Sequence, residues 1–189
     1  MKYTFLLLVT ALSQAAGCGD GVSSDEQARR AYLGLDAAID KTIVLGFSGF
    51  NAASSANIPA QMTSGTSSGT MTITGQVDQG SSANKGMRLL GALVNYSDDG
   101  KLIYDTAVPA PLSLNMQLKG VGTSTGTLNG DLAGNLNMTG ELSGLVTLSI
   151  VFSGSITGAQ PQVIRQPGTT HITGTATSGG GTYKIDVTR

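Results

Sequence analysis

Cys18 and His171 are the only cysteine and the only histidine in this chain of 189 residues. A Ser/His or Cys/His nucleophile would have to use His171 as its base, and that residue stands in an extended, Thr-rich run, Thr169-Thr170-His171-Ile172-Thr173. A nucleophile elbow needs a Gly-x-Ser-x-Gly turn between strand and helix, whereas Gly154 and Ser155 lie inside a strand-like run. Asp98 and Asp99 could form a carboxylate pair or open a calcium loop. The alternating oxygen ligands and the closing Glu of such a loop are missing, and Asp98-Asp99-Gly100 reads more simply as a hairpin turn. One His and one Cys cannot build a zinc or iron-sulfur centre, nor a disulfide within one chain. No cofactor and no metal are expected, and the chain reads as non-catalytic.

Charge excludes another class. Eleven Lys and Arg against twelve Asp and Glu give a net charge of -1, with no basic block to neutralise phosphates, so nucleic acid is not an expected partner. With 40% hydrophobic residues, 12% charged residues and 27 glycines, the length suits one globular domain and an appendage.

The appendage is at the N-terminus. Lys2 precedes the apolar run Phe5, Leu6, Leu7, Leu8, Val9, Ala11 and Leu12, followed by the small residues Ala15, Ala16 and Gly17. This is the pattern of a secretory signal peptide over residues 1–17, too short for the ~20 apolar residues of a membrane span. Ala15-Ala16-Gly17-Cys18 resembles the lipobox of bacterial lipoproteins. The resemblance covers this segment only. It implies that Cys18 is acylated, for instance with palmitate, and becomes the new N-terminus, so that the membrane is a partner through lipidated Cys18. The implied location is the bacterial cell envelope, on its periplasmic or cell-surface side. The other reading is cleavage after Gly17 that leaves an exported protein with a free thiol. Residues 18–24 form a tether, of which Gly19 to Ser24 span roughly 20 Å when extended. Loss of Lys2 leaves the mature chain at a formal charge of -2, which does not favour anionic lipid.

Ser24-Asp25-Glu26-Gln27 is a capping box, and Ala28, Ala31, Tyr32, Leu35, Ala38, Ile39 and Ile43 follow at steps of three and four. The spacing predicts one amphipathic helix over 25–46. Residues 47–69, rich in Ala, Ser, Asn and Gly with Pro59, read as a linker or loop. From residue 70 to 189 the period changes to two, most clearly at Leu112, Leu114, Met116 and Leu118. Turn signals fall at Asp98-Asp99-Gly100, Asn129-Gly130-Asp131, Gln166-Pro167-Gly168 and Gly179-Gly180-Gly181. A helix about 10 Å wide covers two or three strands spaced ~4.8 Å apart, so it cannot roof eight. The predicted fold is therefore mainly β: a curved antiparallel meander of about eight strands, a barrel or half-barrel, with one N-terminal helix.

An apolar-x-Gly-x-apolar pattern recurs around Gly75, Gly91, Gly134, Gly144, Gly154 and Gly174. Glycines on the apolar side of strands mark bends or the close approach of a backbone, a helix or a ligand. If a ligand, it would be apolar, and Gly75, Gly91, Gly134 and Gly144 with Leu136, Met138, Leu148 and Ile150 are the candidate lining. The layout looks like that of lipoprotein carriers that hold acyl chains in an open barrel, an analogy of architecture alone. Three Thr rows, at residues 70, 72 and 74, at 123, 125 and 127, and at 173, 175 and 177, would put hydroxyls on one face. They resemble those of ice-binding solenoids but lack a fixed repeat. Such a Thr/Ser/Asn face could instead meet an envelope protein.

Overall fold

The structure, a computed structural model, describes residues 21–106 and 111–189. The expected signal peptide and Cys18 lie outside the described residues. Ser24 caps the first helix from an extended conformation, its Oγ accepting from the Gln27 amide at 3.2 Å. The reciprocal half of the box is shifted by one residue, since the Gln27 side chain accepts from the amide and hydroxyl of Ser23 rather than from Ser24. Helix α1 (Asp25–Leu33) buries Ala28, Ala31 and Tyr32, and α2 (Asp36–Ala52) buries Ile39, Ile43 and Phe47. The predicted single helix is thus broken at Gly34-Leu35, where the Leu35 amide tightens onto the Tyr32 carbonyl at 2.8 Å.

The helical segment also runs six residues beyond the expected end at Gly46, because Gly46, like Gly49, is a contact point with the sheet. A Cβ at Gly46 would lie 2.8 Å from the Met87 sulfur, and one at Gly49 would lie 2.8 Å from Ile58 Cδ1. Their missing side chains let the helix approach the sheet. Residues 47–69 are accordingly not a loop: they finish α2 and supply β1 (Asn57–Ser64). Pro59 fits there because β1 is an edge strand, where a lost N–H breaks no ladder bond.

The remaining strands are β2 (Ser68–Val77), β3 (Lys85–Ser97), β4 (Leu102–Thr106), β5 (Leu112–Lys119), β6 (Thr127–Gly140), β7 (Gly144–Thr157), β8 (Ile164–Arg165), β9 (His171–Ser178) and β10 (Gly181–Thr188). All pairings are antiparallel. β4 and β5 both pair β3 on one side and β6 on the other, so they share one slot, while β8 is a short addition to β7. The path β1-β2-β3-β4-β6-β7-β9-β10 is then a meander of eight positions in chain order, as predicted.

Among the described residues β1 and β10 do not pair, so the curved sheet stays open. The helices occupy the opening, α1 against β10 and α2 against β1 and β2. Alternate residues from every long strand point inward and join the buried helix residues in one core.

Two sequence expectations fail for local reasons. Asn129-Gly130-Asp131 is not a turn but lies within β6, near its start, because Gly130 gives room to Phe152 across the β6–β7 ladder: a Cβ there would lie 2.6 Å from its ring. Thr123 and Thr125 lie in the β5–β6 turn, so only the rows on β2 and β9 form strand faces.

Candidate functional site

The predicted apolar residues do come together. Leu136, Met138, Leu148 and Ile150 lie on the inner face of β6 and β7, each at most 2% exposed, with Leu148 opposite Gly134 and Met138 opposite Gly144. They are part of the core that the sheet shares with the helices. The glycines mostly accommodate neighbouring strands. At Gly75 a Cβ would strike the Arg88 carbonyl oxygen, and at Gly134, whose φ is +152°, it would lie 2.8 Å from Leu112 Cδ2. Such positions bend the sheet, since a side chain fits neither the backbone conformation nor the space.

Gly91 differs. The nearest atom to a Cβ there is Leu112 Cβ at 3.9 Å, and it borders an apolar cavity of about 30 Å³ between α2 and the sheet, with Leu35, Ala38, Ile39 and Leu114 in its wall. Ligand pockets commonly measure about 300–1,000 Å³, so this space is a packing defect of the size of a small group.

On another face of the same N-terminal turns of α2, at Asp36 and Asp40, lies a charged cleft that the sequence did not flag. Arg165 on β8 is 7% exposed. Its Nη1 lies 2.8 Å from Asp36 Oδ1, its Nη2 lies 2.8 Å from Asp40 Oδ2, and its Nε and backbone amide both donate to Asp40 Oδ1 at 3.0 Å. The Tyr32 hydroxyl also donates to Asp36 Oδ1, at 2.5 Å, and Arg189 Nε reaches Asp36 Oδ2 at 3.3 Å. Burial works against the Asp36 charge, but the hydrogen bonds from Arg165 and Tyr32 outweigh it and hold this carboxyl below the usual carboxylate range. Tyr32 moves the other way: burial and the adjacent Asp36 raise its phenol well above the ordinary value. Both oxygens of Asp36 accept hydrogen bonds, from Arg165 and Tyr32 on one side and from Arg189 on the other. The cluster fastens α2 to β8 and to the end of β10.

On the outer face Ser153, His171 and Asp186 lie near one another on β7, β9 and β10, with Asp186 diagonal to His171 and opposite Thr173. Ser153 is the register partner of His171, and His171 Nε2 lies 2.9 Å from Asp186 Oδ1. No hydrogen bond joins Ser153 to His171 among the described residues. Ser153 lies in an internal strand, opposite Asn129 of β6 and His171 of β9, and not at a helix N-terminus or a turn where adjacent N–H groups converge on an oxyanion. Side chains of 56% and 76% exposure also leave His171 and Asp186 in water rather than in a closed cleft.

The same face presents amides and hydroxyls: Asn115 donates to Asp131 at 3.0 Å, Thr147 donates to Asn135 at 2.6 Å, and the β9 threonines continue the surface. Val151, 56% exposed, stands among them. Among the described residues no group of His, Cys, Asp and Glu converges as metal ligands, and no helix is long and apolar enough to cross a membrane. No family model, curated protein or solved structure matches the chain.

Proposed function

We propose that this protein is a lipoprotein of the bacterial cell envelope, anchored by acylated Cys18, whose half-barrel acts as a non-catalytic structural or binding module beside the membrane. The observation that carries the reading is the position of the chain's single cysteine, directly after a secretory-type apolar run and the small residues Ala15-Ala16-Gly17. The capped helix starting at Asp25 supports it, since the folded domain begins within a few residues of the proposed anchor.

Between the binding alternatives, the geometry favours the outer face. An acyl-chain carrier needs a cavity many times larger than about 30 Å³, and the residues proposed to line one are packed beneath the helices. The outer face offers hydrogen-bonding amides and hydroxyls with few charges, suited to a neighbouring envelope protein. Cell fractionation tests the anchor. The native chain is expected in the membrane fraction and the Cys18→Ser variant in the soluble fraction. Equal partition of the two would overturn the proposal.

A further inference from the structure

We propose that the domain stands on the membrane by one end of its sheet, the end that carries the turns at 65–67, 98–101, 141–143 and 179–180. This rests on the lipid anchor at Cys18 and adds an orientation to it. The Gly21 amide donates to the Ser143 carbonyl at 2.9 Å, which fixes the chain at the β6–β7 turn. Gly21 also abuts Ser178 at the end of β9. Three peptide units separate Cys18 from Gly21, a reach of at most about 11 Å. In a meander successive turns alternate between ends, so the turns β1–β2, β3–β4, β6–β7 and β9–β10 share the anchored end. The loops at 78–84, 120–126 and 158–170 lie at the other. β6 and β7 each have 14 residues, about 45 Å of strand, several times the length of the leash.

The charges at that end balance and do not oppose a lipid surface. Arg30 bridges Asp99, at 2.7 Å, and Glu141, Lys41 pairs with Asp98 at 2.5 Å, and Lys101 Nζ lies 3.8 Å from Glu141. The acids there are thus neutralised within the domain and set up no strong repulsion from anionic headgroups. Among the described residues the exposed Leu90 and Val94 of β3 lie opposite Thr74 and Thr70 of β2, and the exposed Met62 of β1 lies opposite Thr72, so the apolar side chains of that part of the outer face alternate with hydroxyls across the strands. The Asp36/Arg165 cleft and the far loops are then directed away from the bilayer.

The test uses the full-length acylated protein in phosphatidylethanolamine/phosphatidylglycerol vesicles. Acylation blocks the Cys18 thiol, so single cysteines introduced by Ser67→Cys or Lys101→Cys at the anchored end, and by Ser81→Cys or Ser124→Cys at the far end, take a fluorophore selectively. All four positions are exposed. A quencher attached to the lipid headgroups is expected to quench the first pair at least threefold more than the second. Equal or reversed quenching in vesicle-bound protein overturns the orientation and leaves the anchor standing. Protein that is not acylated and does not float with the vesicles overturns both.

Discussion

The Tyr104 hydroxyl, which donates to the Ala31 carbonyl at 2.7 Å, fills the space that a side chain at Gly34 would take. This contact seats the break between α1 and α2 on β4. Gly34 has φ -68° and ψ -19°, a conformation that alanine adopts readily, so only the phenol forbids a side chain there. Gly34→Ala is expected to destabilise the domain by about 1–3 kcal/mol despite alanine's better helix propensity. In a Tyr104→Phe background, which removes the obstructing oxygen, the loss should shrink by half or more. Urea denaturation of the four proteins of this cycle measures the coupling, and additive effects would contradict the contact.

The glycines of the sheet divide by the same reasoning. Gly91→Ala adds a methyl group facing open space beside the 30 Å³ cavity and is expected to stabilise by about 0.5–1 kcal/mol. Gly134→Ala meets both a φ of +152° and Leu112, and should destabilise by about 1–3 kcal/mol. Thermal melts of the two variants should therefore move in opposite directions.

Arg165 bridges two carboxylates, one of them in the buried Asp36, whose side chain is 10% exposed. Arg165→Ala strands that charge and is expected to cost about 3–5 kcal/mol. His171→Ala, which removes one partner of an exposed pair, should change stability by no more than about 0.5 kcal/mol. Similar losses from both substitutions would show that the cleft does not fasten the helix.

Acid should weaken the fold. Burial opposes ionisation at Asp36, Asp98 and Asp99, but hydrogen bonds from Arg165 and Tyr32, from Lys41 and the Thr66 amide, and from the Leu102 and Lys101 amides respectively keep all three carboxyls below their ordinary pKa. A depressed carboxyl contributes stability above its unfolded pKa, about 3.9, and loses it as the pH falls through the folded value. The melting temperature should fall as the pH is lowered below about 4, with a shallower fall in Asp36→Asn. Calorimetry across pH 2–7 checks both, and a rise on acidification would contradict the assignment.

How far the sequence reaches depends on whether a signal is local. Alternation at Leu112 to Leu118 and the width of a helix were enough to reach the curved meander, because both follow from the repeat of the chain itself. β1 escaped because Asn57–Ser64 is an edge strand with a mostly exposed pattern and no apolar alternation. Gly46 looked like a helix end because its partner, Met87, is distant in sequence. Asp36 and Asp40 fall between the apolar positions of the helix, and their partner Arg165 lies more than a hundred residues away. Lys85, 2% exposed, is likewise a buried cation whose setting emerges only with the fold: its Nζ sits 4.3 Å from the centre of the Phe50 ring and donates to the Gly80 carbonyl.

The most direct measurement is the mass of the intact protein extracted from bacterial membranes, taken first under native and then under denaturing conditions. The predicted result is a chain beginning at Cys18 that carries covalent acyl groups and no additional lipid held noncovalently within the domain. A chain that begins elsewhere, or that begins at Cys18 with its thiol unmodified, would contradict the anchored module, and a stoichiometric noncovalent lipid would contradict the closed core.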